Sequence, residues 1–264
     1  MESLVKHKPF LIILSFFLLG WLIATPSGLL GKADAIGYAV CHRLDIRSFH
    51  LGVRQLPLCA RCTGLYLGAI IGVLFQLFNR ERRAGKPSKL IIFILILFGV
   101  TYFFDGFNSY IHLFPIDPKF YLYEPNNVLR IFTGAGMGLS ISFVLIPVFH
   151  QTMWKKWSPT PSIETSRFLM VLGITGVINI LVISENPLIL YPVALLSAFS
   201  VILILTIVYS LMWVLLVGLE NHFYSYRSMT FVVLVGFLTA MVQITLFDFV
   251  RYYFTGTWEG FFFH

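Results

Sequence analysis

Long apolar stretches alternate with short polar ones along the whole chain. A helix needs roughly 20 apolar residues to cross about 30 Å of hydrocarbon. Stretches of that kind run over approximately 10–30, 60–79, 89–107, 128–150, 167–184, 188–217 and 229–250. The first follows Lys6 and Lys8, as a secretory signal would. Its apolar core is nevertheless about 20 residues long, and Thr25-Pro26-Ser27 is a poor cleavage site, so it reads as a retained helix. The polar connections are short. Asn79 to Lys89 is basic and broken by Gly85 and Pro87. Gln151 to Arg167 carries Trp154 and Trp157, placed for the membrane–water interface. Ser184-Glu185-Asn186-Pro187 is a tight turn whose proline resists continuation of the fifth helix. The aromatic segment from Arg251 to His264 is expected to lie along the outer interface.

One segment breaks the rhythm. Residues 33–58 are too polar to span, with Asp34, Arg43, Asp45, Arg47 and Arg54 set among Ile36, Tyr38, Phe49 and Leu51. This pattern predicts a short amphipathic or re-entrant helix packed on the bundle and ended by Pro57. Cys59 then falls at or just before the start of the second membrane helix. That helix carries Gly64, Gly68 and Gly72 on one face, which lets another backbone come close. Gly134, Gly136 and Gly138 of the fourth helix make it a candidate neighbour. The predicted fold is all-α: one polytopic membrane domain over residues 1–264, with about seven transmembrane helices plus the loop helix.

Composition agrees. The chain is 58% hydrophobic and 12% charged, against about 25% charged in soluble domains. With the N-terminus inside, eleven of the 19 Lys and Arg fall inside. The eight outside are Lys32, Arg43, Arg47, Arg54, Arg61, Lys119, Arg130 and Arg251. Five of these eight, Lys32 included, belong to the cysteine-loop region over 32–62. Either the topology is right and those arginines have work outside, or it is inverted; the positive-inside bias favours the first. The net charge of +7 suits anionic membrane lipid. Nucleic acid is not an expected partner, because no basic domain or stacking platform is present.

All three cysteines lie between positions 41 and 62, as Cys41-His42-Arg43 and Cys59-Ala60-Arg61-Cys62. A helix N-terminus favours thiolates at Cys59 and Cys62, and Arg61 adds to this. The three sulfurs with His42 or His50 make a ligand set for tetrahedral zinc, or for iron in its place. His42 is adjacent to Cys41, and neighbours rarely ligate one ion; His50 has freer geometry. The same spacing allows a disulfide between Cys59 and Cys62, or plain packing of three small side chains. Ionisable groups at membrane depth are functional candidates, which singles out His42 and Asp105 as catalytic candidates. Arg43, Arg47, Arg61 and Arg130 are candidate anion ligands, since guanidinium forks onto phosphate oxygens and the phosphate at headgroup depth is a lipid's. The alternative is that arginines in this region neutralise Asp34, Asp45, Asp105 and Glu124. Asp105 and Arg130 can also pair or cap helices, and Asp248 reads as a cap.

The block Cys41-His42-Arg43, Arg47-Ser48-Phe49 and Gln55 through Gly64, with Tyr66 and Gly68, resembles a prokaryotic family of predicted membrane proteins of unknown function. Its signature reads CHR…RSF…QLPLCARCTGxYxG. Asp105-Gly106 and the run Asn127, Arg130, Thr133 and Gly134 are similar to further family positions. The family commonly places a glutamine soon after Asp-Gly, where this chain has Asn108, and His50 lies off the signature. The likeness covers residues 36–140; residues from 150 onward read as an extension. It implies a membrane protein and no particular activity. Three functions stay open: a metalloprotein with a Cys/His site at the outer face that binds or acts on an anionic lipid headgroup, a thiol–disulfide oxidoreductase using Cys59 and Cys62, and a non-catalytic transporter or scaffold.

Overall fold

A computed structural model describes residues 8–78, 81–113 and 122–260. Lys6, Asn79, Arg80, Lys119 and Phe261 to Phe263, all used above, lie outside the described residues. Among the described residues there are eight helices: α1 (Lys8–Ala24), α2 (Gly28–Val40), α3 (Ala60–Leu77), α4 (Lys89–Ile111), α5 (Asn127–Met153), α6 (Thr165–Ile183), α7 (Pro187–Val217) and α8 (Tyr226–Thr255). The helices α3 to α8 are each long and apolar enough to cross a membrane. The protein is a helical polytopic membrane protein.

The first apolar run is not one straight helix. Pro26 disfavours helical geometry at Thr25, so α1 stops at Ala24 and α2 leaves at 101°. Lys32 of α2 reaches back and donates to Leu22 O and, at 3.0 Å, to Thr25 O, satisfying carbonyls at the end of α1. The helix α1 runs beside α8, with Phe10 against Phe231 near one end and Trp21 against Asp248 near the other. The bent pair α1 and α2, counted as one span, makes the seventh. The helix α2 lies across the ends of α7 and α8. It is the expected loop helix, displaced toward the N-terminus. Residues 44–58 hold instead a 3-10 turn (Asp45–Arg47) and a small antiparallel hairpin, β1 (His50–Leu51) with β2 (Arg54–Gln55).

Two helices form the centre. Within the membrane windows, α3 is 56% and α5 61% buried, whereas α4, α6, α7 and α8 range from 17% to 39%. Glycine makes this possible. A Cβ on Gly68 would stand 2.3 Å from Ala135 O, and one on Gly138 1.9 Å from Leu65 O. The two backbones are therefore in direct contact along the face predicted from the four-residue glycine spacing. Gln76 locks the pair by donating to Ser142 O at 3.0 Å.

Several helix ends differ from expectation. The helix α4 continues to Ile111, so Asp105 sits inside it. The helix α8 runs to Thr255, so Asp248 is an interior residue and not a cap. Beyond Gly256, residues 257–260 fold back over the end of α2, where Tyr38 Oη donates to Thr257 O at 2.8 Å. At the opposite end, β3 (Arg83–Gly85) pairs in parallel with β4 (Ser158–Pro161). Trp154, expected at the interface, is fully buried there under the Arg82 guanidinium, 3.4 Å from its ring centroid.

Candidate functional site

The three cysteines converge although 17 residues separate Cys41 from Cys59 in the sequence. Cys41 follows the last turn of α2, its N–H bonded to Gly37 O. Cys59 is the N-cap of α3, and Cys62 lies one turn inside. The link between the two helices is a contact of backbones: a Cβ on Gly37 would fall 2.0 Å from Pro57 O. All three sulfurs lie within 4.8 Å of one another. None is in a disulfide. They are walled by Trp21, Ile36, Leu58, Val201 and Ile244.

The backbone around Cys41 is shaped for a charged sulfur. Arg43 N–H and Cys59 N–H both point at the Cys41 sulfur, at 3.5 and 3.4 Å. Arg43 holds a φ of 52° to do so, an uncommon setting for a residue with a Cβ. The surroundings impose it: Arg43 donates to Asp34 at 3.0 Å and to Trp258 O at 3.1 Å, and Gln55 donates to Arg43 O at 2.9 Å. Arg251 caps the end of α2, donating to Tyr38 O at 2.7 Å and Cys41 O at 2.6 Å. Hydrogen bonds from Cys59 and then Cys62, with His42 adding to them, hold the Cys41 thiol well below the usual thiol range despite burial. Cys59 is pushed up to about 12, first by its bond to Cys41.

His42 and His50 part company. His42 Nδ1 stands 3.8 Å from the Cys41 sulfur, and its Nε2 is buried with no partner among the described residues. His50 is bonded to Asp45 at 2.8 Å on the surface, so its ring is engaged elsewhere and only His42 borders the sulfurs.

Beside the cysteines lies a cluster of buried charge. Arg61, between Cys59 and Cys62 in sequence, donates to the Asp105 carboxylate, with Nε 2.9 Å from Oδ2, and to Ser109 Oγ at 2.8 Å. Tyr123 Oη donates to Asp105 at 2.7 Å. Burial, and next the Asp105 carboxylate, push the Tyr123 pKa up to about 12. Arg47 donates to Ser109 O at 2.6 Å. Burial and then the Arg61 charge lower its pKa. Arg130 does not pair with Asp105; it donates to Asn127 at 2.8 Å, and its buried Nε has no partner among the described residues. Arg43 belongs elsewhere, sharing Asp34 with Arg54. Of the four predicted anion ligands, Arg61 binds Asp105, Arg47 meets the same helix at Ser109, Arg130 is held by Asn127, and Arg43 stands apart.

Sequence reading offered Asp34 as a partner for arginines of this region, and Arg43 and Arg54 do pair with it; it missed Arg251 as the cap of α2. Nothing in local spacing links Arg251 to Cys41, 210 positions away.

The fold and this cluster define a polytopic helical membrane protein with three buried thiols at one end of its bundle. The chain belongs to the family described as "Predicted membrane protein (DUF2085)", which residues 41–144 match. It is similar to an uncharacterised protein of Methanothermobacter thermautotrophicus, 33% identical over 104 residues that cover 39% of this chain and 82% of that relative. An uncharacterised protein of Methanocaldococcus jannaschii is 28% identical over 124 residues, covering 47% of this chain and 72% of the relative. No solved structure matches. The matched span contains all three cysteines, Asp105 and Arg130.

Proposed function

We propose that this chain is a membrane metalloprotein. Cys41, Cys59 and Cys62 hold zinc, or iron in its place, at the outer end of the bundle, and the protein binds or acts on an anionic lipid headgroup there. The observation that carries the reading is the meeting of three sulfurs within 4.8 Å. Zn–S bonds of about 2.3 Å at tetrahedral angles need sulfurs roughly 3.8 Å apart, so a small contraction suffices. The lowered Cys41 pKa and the two N–H groups aimed at its sulfur suit a metal-bound thiolate. Three sulfurs leave a fourth position. His42 fills it in a closed, structural site; water or a phosphate oxygen fills it in an open one, where the ion would supply Lewis acidity.

Charge supports the lipid part. Arg47 and Arg130 are buried and Arg61, paired with Asp105, is half-buried. Thiolates nearby offset part of the excess, and a headgroup phosphate would offset more. The outer placement rests on the basic residues of the opposite end.

Elemental analysis of protein purified from membranes tests the metal. About one ion per native chain is expected, lost in Cys41→Ser, Cys59→Ser and Cys62→Ser. Three free thiols and no metal would end this reading. Placement of Cys59 and Cys62 at a helix N-cap and one turn in also favours thiol–disulfide exchange. Against it, Cys41 and Cys59 are 6% and 2% exposed, out of reach of an exchanging partner. A Cys59–Cys62 disulfide trapped in cells would reverse that order. Variants that lose abundance while native protein holds no metal would point to a scaffold or transporter. Retention of phosphatidylglycerol by native protein and its loss in Arg130→Gln tests the headgroup.

A further inference from the structure

A second site lies between α1 and α8. Asp248 is 4% exposed in a membrane-spanning helix. Trp21 Nε1 donates to its Oδ2 at 3.3 Å, and its Oδ1 is buried with no partner among the described residues. The carboxyl group lines a cavity of about 490 Å³ between α1 and α8. Its other walls include Phe17, Trp21, Phe249, Tyr252 and Trp258. Phe16 and Phe249, 71% and 68% exposed, stand at a rim that faces lipid.

An acidic side chain at membrane depth is costly unless it is used. The surroundings decide what can meet it. A hard metal ion needs several oxygen ligands, but the Thr245 and Thr25 hydroxyls are turned onto the carbonyls of Met241 and Trp21, at 2.7 and 2.8 Å. A neutral lipid tail would leave Oδ1 unsatisfied, and an anion would be repelled. Arg251, three positions along α8, feels the Asp248 charge but gives its N–H groups to carbonyls at the end of α2, and Lys32 gives its own to carbonyls at the end of α1. Aromatic faces around one carboxylate attract a positive charge carried on an apolar body, and the volume suits a small organic molecule.

We propose that the cavity between α1 and α8 binds an amphiphilic organic cation, an ammonium group on an apolar body, with Asp248 as counter-ion and Trp21, Tyr252 and Trp258 as its aromatic walls. Trp21 positions the carboxylate through its indole N–H. The site is independent of the metal reading.

The test uses the full chain in nanodiscs of zwitterionic lipid. The probe is benzyltrimethylammonium, and its control is neopentylbenzene, which has carbon in place of the charged nitrogen. Binding is read by equilibrium dialysis with empty nanodiscs subtracted. The cation binds saturably, and the neutral isostere does not. Asp248→Asn keeps an acceptor for Trp21 and weakens binding about tenfold or more, and Tyr252→Leu weakens it about threefold. Equal binding of cation and isostere, no saturable binding of the cation, or an unchanged affinity in Asp248→Asn would each overturn the proposal. If Asp248→Asn fails to fold, the comparison of the two probes on the native chain decides.

Discussion

Replacing Asp105 by alanine strikes the ion pair that holds α3 to α4 at the cysteine end. The Asp105 side chain is 1% exposed and that of Arg61 15%, so water screens the pair poorly. Removing the carboxylate strips Arg61 of its charged partner and leaves Tyr123 Oη and Thr133 Oγ1 without an acceptor they now share, at 2.7 and 3.3 Å. Breaking a buried pair from one side costs about 3–5 kcal/mol. Asp105→Asn keeps an acceptor and is expected to cost less, about 1–3 kcal/mol. Reversible unfolding in mixed detergent micelles, followed by helix content, measures both. Arg61→Met completes a double-mutant cycle. Because each single change strands its partner, the double variant should recover about 2 kcal/mol or more of the summed loss. Arg61 lies between Cys59 and Cys62, so Asp105→Ala should also release metal faster to a chelator. A loss below about 1 kcal/mol for Asp105→Ala, or strict additivity in the cycle, would refute the ion-pair account.

Three further outcomes are expected. Gly68→Leu and Gly138→Leu force a side chain into a facing backbone, 2.3 and 1.9 Å from the first new atom, and should abolish monodisperse protein on gel filtration; Gly173→Ala meets nothing within 4 Å and should be neutral or slightly stabilising. In metal-stripped protein, ultraviolet thiolate absorbance should show the Cys41 thiol ionising first, below the ordinary thiol range, and no Cys59 thiolate until the pH nears about 12. The stability signs are opposite: the lowered Cys41 pKa contributes above the ordinary thiol pKa of about 8.5 and is lost as pH falls through its folded value, whereas Cys59 contributes below that pKa and is lost as pH rises toward its own. A cysteine placed at Val53, fully exposed at the hairpin tip, should react with a membrane-impermeant maleimide on intact cells, and one at Lys86 only after lysis; the reverse result would invert the orientation.

Most of the bundle was legible because hydrocarbon thickness dictates long apolar runs and leaves few alternatives. The glycine spacing of α3 was legible too, since backbone approach needs small residues at every turn. Helix ends were less so. Asp105 and Asp248 looked like terminal residues because carboxylates favour caps, yet each is kept inside its helix by a partner remote in sequence, Arg61 and Trp21. The bend after α1 was written in Pro26 but masked by the apolar residues around it. In the cluster, Cys59 and Cys62 were legible as a spaced pair at a helix start. The approach of Cys41 depends on Gly37 lying against Pro57 and on Arg251 holding the end of α2, contacts between segments with no shared periodicity.

X-ray absorption at the metal edge of native protein tests the central claim most directly. Three sulfur neighbours at about 2.3 Å and one nitrogen or oxygen near 2.0 Å are the expected shell for zinc, with a sulfur lost in each Cys→Ser variant that still folds. A shell of nitrogen and oxygen alone would contradict the three-sulfur centre.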